Sequence, residues 1–107
     1  MWDHYHKSVP MSTYLVAFVI SDFEKRVSDP KLSKPAFAVW ARKDAIEQAE
    51  YASDIGPRIL TFLENYFSIP FPLPKQDMVA LPDMNVDAME NWGLVTFRLV
   101  FTQAKGV

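Results

Sequence analysis

The sequence predicts a fold of the α+β class, and three observations predict it. A seven-residue β-branched and aromatic run occupies residues 14–20. Apolar residues at helical spacing extend from Ala45 to Phe67. A second β-rich stretch, residues 86–101, follows a connection punctuated by prolines. The order is strand, linker, strand, long helix, strand, turn, strand, which matches no complete repeat.

Each element has its own local reason. Tyr14-Leu15-Val16-Ala17-Phe18-Val19-Ile20, ahead of the polar Ser21-Asp22, predicts a strand within residues 12–23 buried on both faces. Residues 24–35 are polar and broken by Pro30 and Pro35. They predict a linker or a long hairpin loop, and the best place for a domain boundary. In residues 36–42, Phe37 and Val39 share one face and Trp40 and Arg42 the other, as in a strand. Asp44 predicts a helix N-cap, and Glu47 completes a capping box with it. The helix is carried by Ala45, Ile46, Ala49, Ala52, Ile55, Ile59, Leu60, Leu63, Tyr66 and Phe67. Gly56-Pro57 predicts a kink or a break into two helices. Pro70, Pro72 and Pro74 force an extended connection. Residues 76–81 form a third strand, Pro82-Asp83-Met84-Asn85 a turn, and residues 86–101 the last strand or strand pair.

Composition narrows the function. The chain has 107 residues, 50% of them hydrophobic and 14% aromatic, a globular and not a disordered balance. A chain of this size buries only a little over ~60% of the surface its unfolded form exposes. So high an apolar content therefore predicts that part of the surface meets a partner. The net charge of -2, with no basic patch, argues against nucleic acid. The absence of Cys excludes disulfides and a thiol nucleophile and leaves the redox compartment open. The apolar run 14–20 is far shorter than the roughly 18 residues of a membrane span. Met1-Trp2-Asp3-His4-Tyr5-His6-Lys7 lacks the basic-then-apolar order of a signal peptide, so no anchor and no localisation is written in this chain. His4 and His6 form an H-x-H pair, but two His without a third ligand do not make a metal site, and none is assigned.

The most informative stretch is Asp87-Ala88-Met89-Glu90-Asn91-Trp92-Gly93, preceded by Leu73-Pro74-Lys75-Gln76-Asp77-Met78-Val79-Ala80-Leu81-Pro82-Asp83-Met84. It is followed by Leu94-Val95-Thr96-Phe97-Arg98, and far upstream stands Val9-Pro10-Met11-Ser12-Thr13-Tyr14-Leu15. Together these blocks resemble the zinc metallopeptidases of the aminopeptidase N type, whose exopeptidase motif is written G-A-M-E-N. Four blocks in the right order are far more specific than the motif alone. The resemblance runs from about Trp2 to Arg98 and is nearest to the animal membrane-bound branch.

The resemblance implies a partial fold. Residues 1–26 would end an N-terminal β domain, 27–35 would be a linker, and 36–107 would be the β-helix-β opening of a thermolysin-like catalytic domain. The implied activity is removal of N-terminal amino acids from peptides by a zinc-activated water. An aminopeptidase must bind a free α-ammonium, and a carboxylate in a partly desolvated pocket does so by a charge-assisted hydrogen bond. By resemblance that carboxylate is Glu90. Ala88 and Met89 would offer a backbone edge that pairs with the substrate peptide. Met89 would also provide an adaptable apolar wall, and Asn91 would hold the turn. Without the flanking blocks, Glu90 would read as an ordinary solvated carboxylate, Met89 as core filler and Trp92 as packing. The implied location is the plasma membrane or the extracellular side, with the cytoplasm as alternative.

Two departures from the family pattern matter. Asp87 stands where the motif usually has Gly. A second carboxylate could add to ammonium binding, or could work against it by repelling the charge on Glu90. The H-E-x-x-H zinc helix is not in the sequence, and residues 99–107 leave the family pattern. Three readings follow: a fragment of an active aminopeptidase, a short product that binds peptide or a full-length relative, or a poorly folding product. An exposed strand edge and surplus apolar surface favour the third over the second. In all three, this chain alone is expected to be catalytically inactive.

Overall fold

The computed structural model describes residues 2–98. A five-stranded sheet carries one long helix on one face. The strands are β1 (Glu24–Val27), β2 (Ala36–Ala41), β3 (Lys75–Leu81), β4 (Ala88–Met89) and β5 (Leu94–Arg98), in the spatial order β1-β2-β3-β5-β4. The inner three are parallel to one another, and each edge strand is antiparallel to its neighbour. The helix α1 (Glu50–Phe67) lies in the β2–β3 crossover, as parallel strands require. The α+β expectation therefore holds at the level of class.

The core lies between α1 and the sheet. Phe37 and Val39 of β2 pack with Ala49 and Ala52, flanked by Ile46, Leu60 and Met78. A second cluster joins Ala41, Ala45 and Ala80. Burying one such large apolar side chain contributes about 1.5–3 kcal/mol. The predicted helical stripe is only half right. Its first part, Ala45 to Ala52, meets the sheet, while Ile59, Leu63, Tyr66 and Phe67 are exposed. Past the middle of α1 the described residues supply nothing to cover that side.

The predicted strand at residues 14–20 is absent. A short 3-10 turn, Thr13–Leu15, begins the run, and the rest crosses the sheet's other face without ladder partners. Leu15 is buried, but Phe18 is 76% and Ile20 91% exposed. High β propensity makes a strand only where a neighbouring strand offers hydrogen bonds, and this run lies over a face of the sheet, not along either edge strand. Between the run and the sheet lies a cavity of about 480 Å³, lined by Phe18, Val19, Trp40, Lys75, Asp77 and Trp92 among others.

Conversely, the polar stretch from Glu24 begins with a strand. β1 works as an edge because its charged residues have partners: the Lys25 ammonium lies 5.5 Å from the centroid of the Trp40 ring, and Arg26 pairs with Glu50 at 3.5 Å. Charges on an edge strand also discourage further pairing. Residues 28–35 are then the hairpin loop, tied to α1 by the Thr61 hydroxyl donating to the Leu32 carbonyl.

The expected capping box does not form. Asp44 sits 3.5 Å from Arg42 instead, and a 3-10 turn, Ile46–Ala49, precedes α1 with no side-chain cap. Nor does α1 break at Gly56-Pro57; it runs continuously through Pro57. It ends near the predicted place, with Ser68 left-handed at φ 53° and the Ile69 N–H donating to the Glu64 carbonyl. The last region is a strand pair, β4 and β5. The expected continuation to Phe101 lies outside the described residues.

Candidate functional site

Asp87, Ala88, Met89, Glu90 and Asn91 follow the outermost strand into the turn after it. β4 is held to β5 along one side only, with Ala88 opposite Phe97 and Met89 opposite Thr96. The Arg98 N–H donates to the Asp87 carbonyl at 2.9 Å. Bonded and non-bonded pairs alternate along an antiparallel ladder, so the Ala88 N–H and C=O face away from β5. That side is an open edge able to accept an added strand.

The turn is built by the residues that follow. The Leu94 N–H donates to the Asn91 carbonyl at 3.1 Å, and Gly93, third in the turn, has φ 78°. A type II turn needs a positive φ at that position, and Gly supplies it without strain. The Gly93 carbonyl accepts from Lys75 Nζ and from the Asp77 N–H, both at 2.9 Å. Lys75 Nζ also bonds Asp77 at 2.8 Å. The turn is thus fastened to the start of β3, one of the central parallel strands. The Trp92 N–H donates to the Leu15 carbonyl, joining the turn to the N-terminal segment. Asn91 is buried.

The side chains divide into two groups. Glu90 is exposed and has no ion-pair or hydrogen-bond partner among the described residues. It stands beside the open edge, in solvent, and Met89 is half-buried. Asp87 is turned to β5, where its carboxylate lies 3.3 Å from Arg98 Nη1, and Arg98 Nη2 donates to the Met84 carbonyl at 3.0 Å.

Arg98 escapes a sequence reading centred on the motif, although a signal for it exists. Counting outward from a turn at residues 91–94 pairs 89 with 96, 88 with 97 and 87 with 98. An acid and a base then fall opposite one another at the end of the hairpin.

His4 and His6 are exposed, and among the described residues no three His, Cys, Asp or Glu side chains converge to hold a metal. Hydrolytic zinc needs such a set, so these residues do not fit a zinc centre. No described helix is long and apolar enough to cross a membrane.

Comparison with known proteins agrees with the resemblance carried by the motif blocks. The Peptidase family M1 domain matches residues 51–104, past Arg98, where the motif-based resemblance stops. The chain is 56% identical over 96 residues to endoplasmic reticulum aminopeptidase 1 of Homo sapiens, covering 90% of this chain and 10% of that protein. It is 47% identical over 96 residues to endoplasmic reticulum aminopeptidase 2 of Bos taurus, with the same coverages. Aminopeptidase N of Mus musculus is 44% identical over 96 residues, 88% of this chain and 10% of that protein. The chain spans about a tenth of the length of these curated relatives.

Proposed function

The chain belongs to peptidase family M1, and on that footing we propose that it carries the substrate-gripping strand of a zinc aminopeptidase, with Glu90 receiving the α-ammonium of a peptide. One observation carries the assignment: Glu90 stands exposed and, among the described residues, unpartnered beside an edge strand whose Ala88 N–H and C=O point outward. An extended peptide laid along β4 would exchange backbone bonds with Ala88. Its free amine would then fall near Glu90, where a charge-assisted bond distinguishes an N-terminus from a chain interior. Met89 would face the first side chain, and Asn91 would keep the turn.

The role of this chain is recognition. Family M1 hydrolysis uses zinc, but the described residues contain no set of ligands for it, and no role assigned above runs through the metal. As an isolated chain it is catalytically inactive. On the same reading, residues 1–26 end an N-terminal β domain, 27–35 link, and 36–107 open a thermolysin-like domain. The exposed apolar side of α1, with Ile59, Phe62 and Tyr66, is where further parts of such an aminopeptidase would pack. The relatives' names make the endoplasmic reticulum a compartment to test for a longer parent, beside the plasma membrane or extracellular side.

The test is a titration of the 107-residue chain with a short peptide, free or N-acetylated, followed by backbone chemical shifts. The free peptide is expected to perturb Ala88 to Asn91 and to bind more tightly than the acetylated one. Glu90→Gln should remove most of that preference, worth roughly tenfold or more for a hydrogen bond to a charged group. Equal binding of both peptides would sink the assignment. Zinc-dependent hydrolysis of an aminoacyl chromogenic substrate by the purified chain would overturn the inactivity.

A further inference from the structure

We propose that Asp87 and Arg98 form a clamp that positions β4, and that Asp87 is a positioning residue and not a second ligand for the substrate amine. The inference rests on the substrate-gripping role assigned to β4 and adds a residue to it. Three contacts converge on Arg98. Its backbone N–H donates to the Asp87 carbonyl at 2.9 Å, its Nη1 lies 3.3 Å from the Asp87 carboxylate, and its Nη2 donates to the Met84 carbonyl at 3.0 Å. One side chain thereby holds both the loop that enters β4 and the first residue before it.

β4 needs such a device because it is short. It comprises Ala88 and Met89 alone and pairs on one side, so few ladder bonds resist fraying. The turn at Asn91–Leu94 fixes its far end through Gly93 and Lys75. Nothing else among the described residues fixes its near end by a charged contact. The clamp also has an electrostatic consequence. The Asp87 carboxylate is matched by a guanidinium on the β5 side, which leaves Glu90, among the described residues, as the unmatched carboxylate of the motif beside the open edge. Arg suits the task because its planar fork serves a carboxylate and a carbonyl together, which a Lys ammonium does less well.

Amide hydrogen exchange on the full chain tests the clamp, and the two-peptide titration tests its link to substrate. Asp87→Asn and Arg98→Lys are each expected to speed exchange at the Met89 and Arg98 amides by about two- to fivefold, the range of an exposed ion pair. Exchange in β2 and β3 should stay unchanged, which separates local release from misfolding. The reversed pair, Asp87→Arg with Arg98→Asp, should restore much of the protection. Asp87→Asn should weaken free and acetylated peptides by the same factor. If it instead removes the preference for the free amine and leaves exchange unaltered, Asp87 is a substrate ligand and the clamp is wrong. If neither peptide binds the wild-type chain, the gripping role of β4 fails, and the exchange data still decide whether the clamp exists.

Discussion

The Ser28 hydroxyl donates to the Ser53 carbonyl at 2.5 Å, in a buried position, and Ser53 is the residue four before Pro57. In an uninterrupted helix the N–H at position 57 would take that carbonyl. Proline has no N–H, and Ser28, just after β1, supplies the missing donor. The bond explains why α1 continues through a proline, and it joins the hairpin to the helix.

Ser28→Ala should therefore leave a buried carbonyl unpaired and destabilise the fold by about 1–3 kcal/mol. Pro57→Ala returns a backbone donor to Ser53, so the same Ser28→Ala change should cost clearly less in that background. Urea unfolding of the four chains gives the coupling, expected at about 0.5–3 kcal/mol for groups in contact. Strictly additive effects would show that Ser28 does not substitute for the helix bond.

Gly56 makes room for an aromatic ring. A Cβ there would lie 2.5 Å from Phe37 Cζ and 2.7 Å from Cε1. Gly56→Ala gains up to about 1 kcal/mol in helix propensity but overpacks the core, which costs about 1–3 kcal/mol. The expected result is a net loss in thermal stability. In a Phe37→Leu background the clash is relieved, and Gly56→Ala should become neutral or stabilising.

Gly93 is required for its backbone as well as for space. Its φ is 78°, and an added Cβ would approach Leu73 Cδ1 to 3.2 Å. Gly93→Ala should cost about 1–2 kcal/mol from left-handed strain, with Asn at 93 intermediate. Because Gly93 fastens the turn after Glu90, the same series should weaken free-amine peptide binding in the same order. Peptide affinity unchanged in a folded Gly93→Ala chain would count against the turn's role.

The outer side of α1 carries exposed aromatic rings. Phe62 and Tyr66 stack with centroids 6.0 Å apart, and both are exposed. Phe62→Lys with Tyr66→Glu should reduce self-association in light scattering. Unfolding stability should move by no more than about 0.5 kcal/mol per site, as at ordinary surface positions. Loss of cooperative unfolding would mean that these rings hold the fold.

Local signals in the sequence held for several single elements. Alternation at Phe37, Val39 and Trp40 marked β2, the prolines at 70, 72 and 74 marked the approach to β3, and the spacing of apolar residues located the end of α1 near Phe67. The motif at 87–93, read with its flanking blocks, carried the resemblance to the aminopeptidase family, and the match to the peptidase family M1 domain agrees with it.

What pairs with what is a property of the assembled chain. The run at residues 14–20 has every local mark of a buried strand and does not form one, because it lies over a face of the sheet and not along an edge strand. Glu24–Val27 looks like linker and becomes a strand, because Trp40 and Glu50 receive its charges. Pro57 reads as a helix breaker and is not one, because Ser28 arrives from another element. Asp87, a doubtful second carboxylate in the sequence, finds Arg98 opposite it only once the hairpin closes. The sequence by itself determined the residue types at the edge strand, including the carboxylate of Glu90. Tertiary structure decided which of those groups are paired and which stay exposed, since hydrogen bonds and ion pairs over long separations depend on which segments meet.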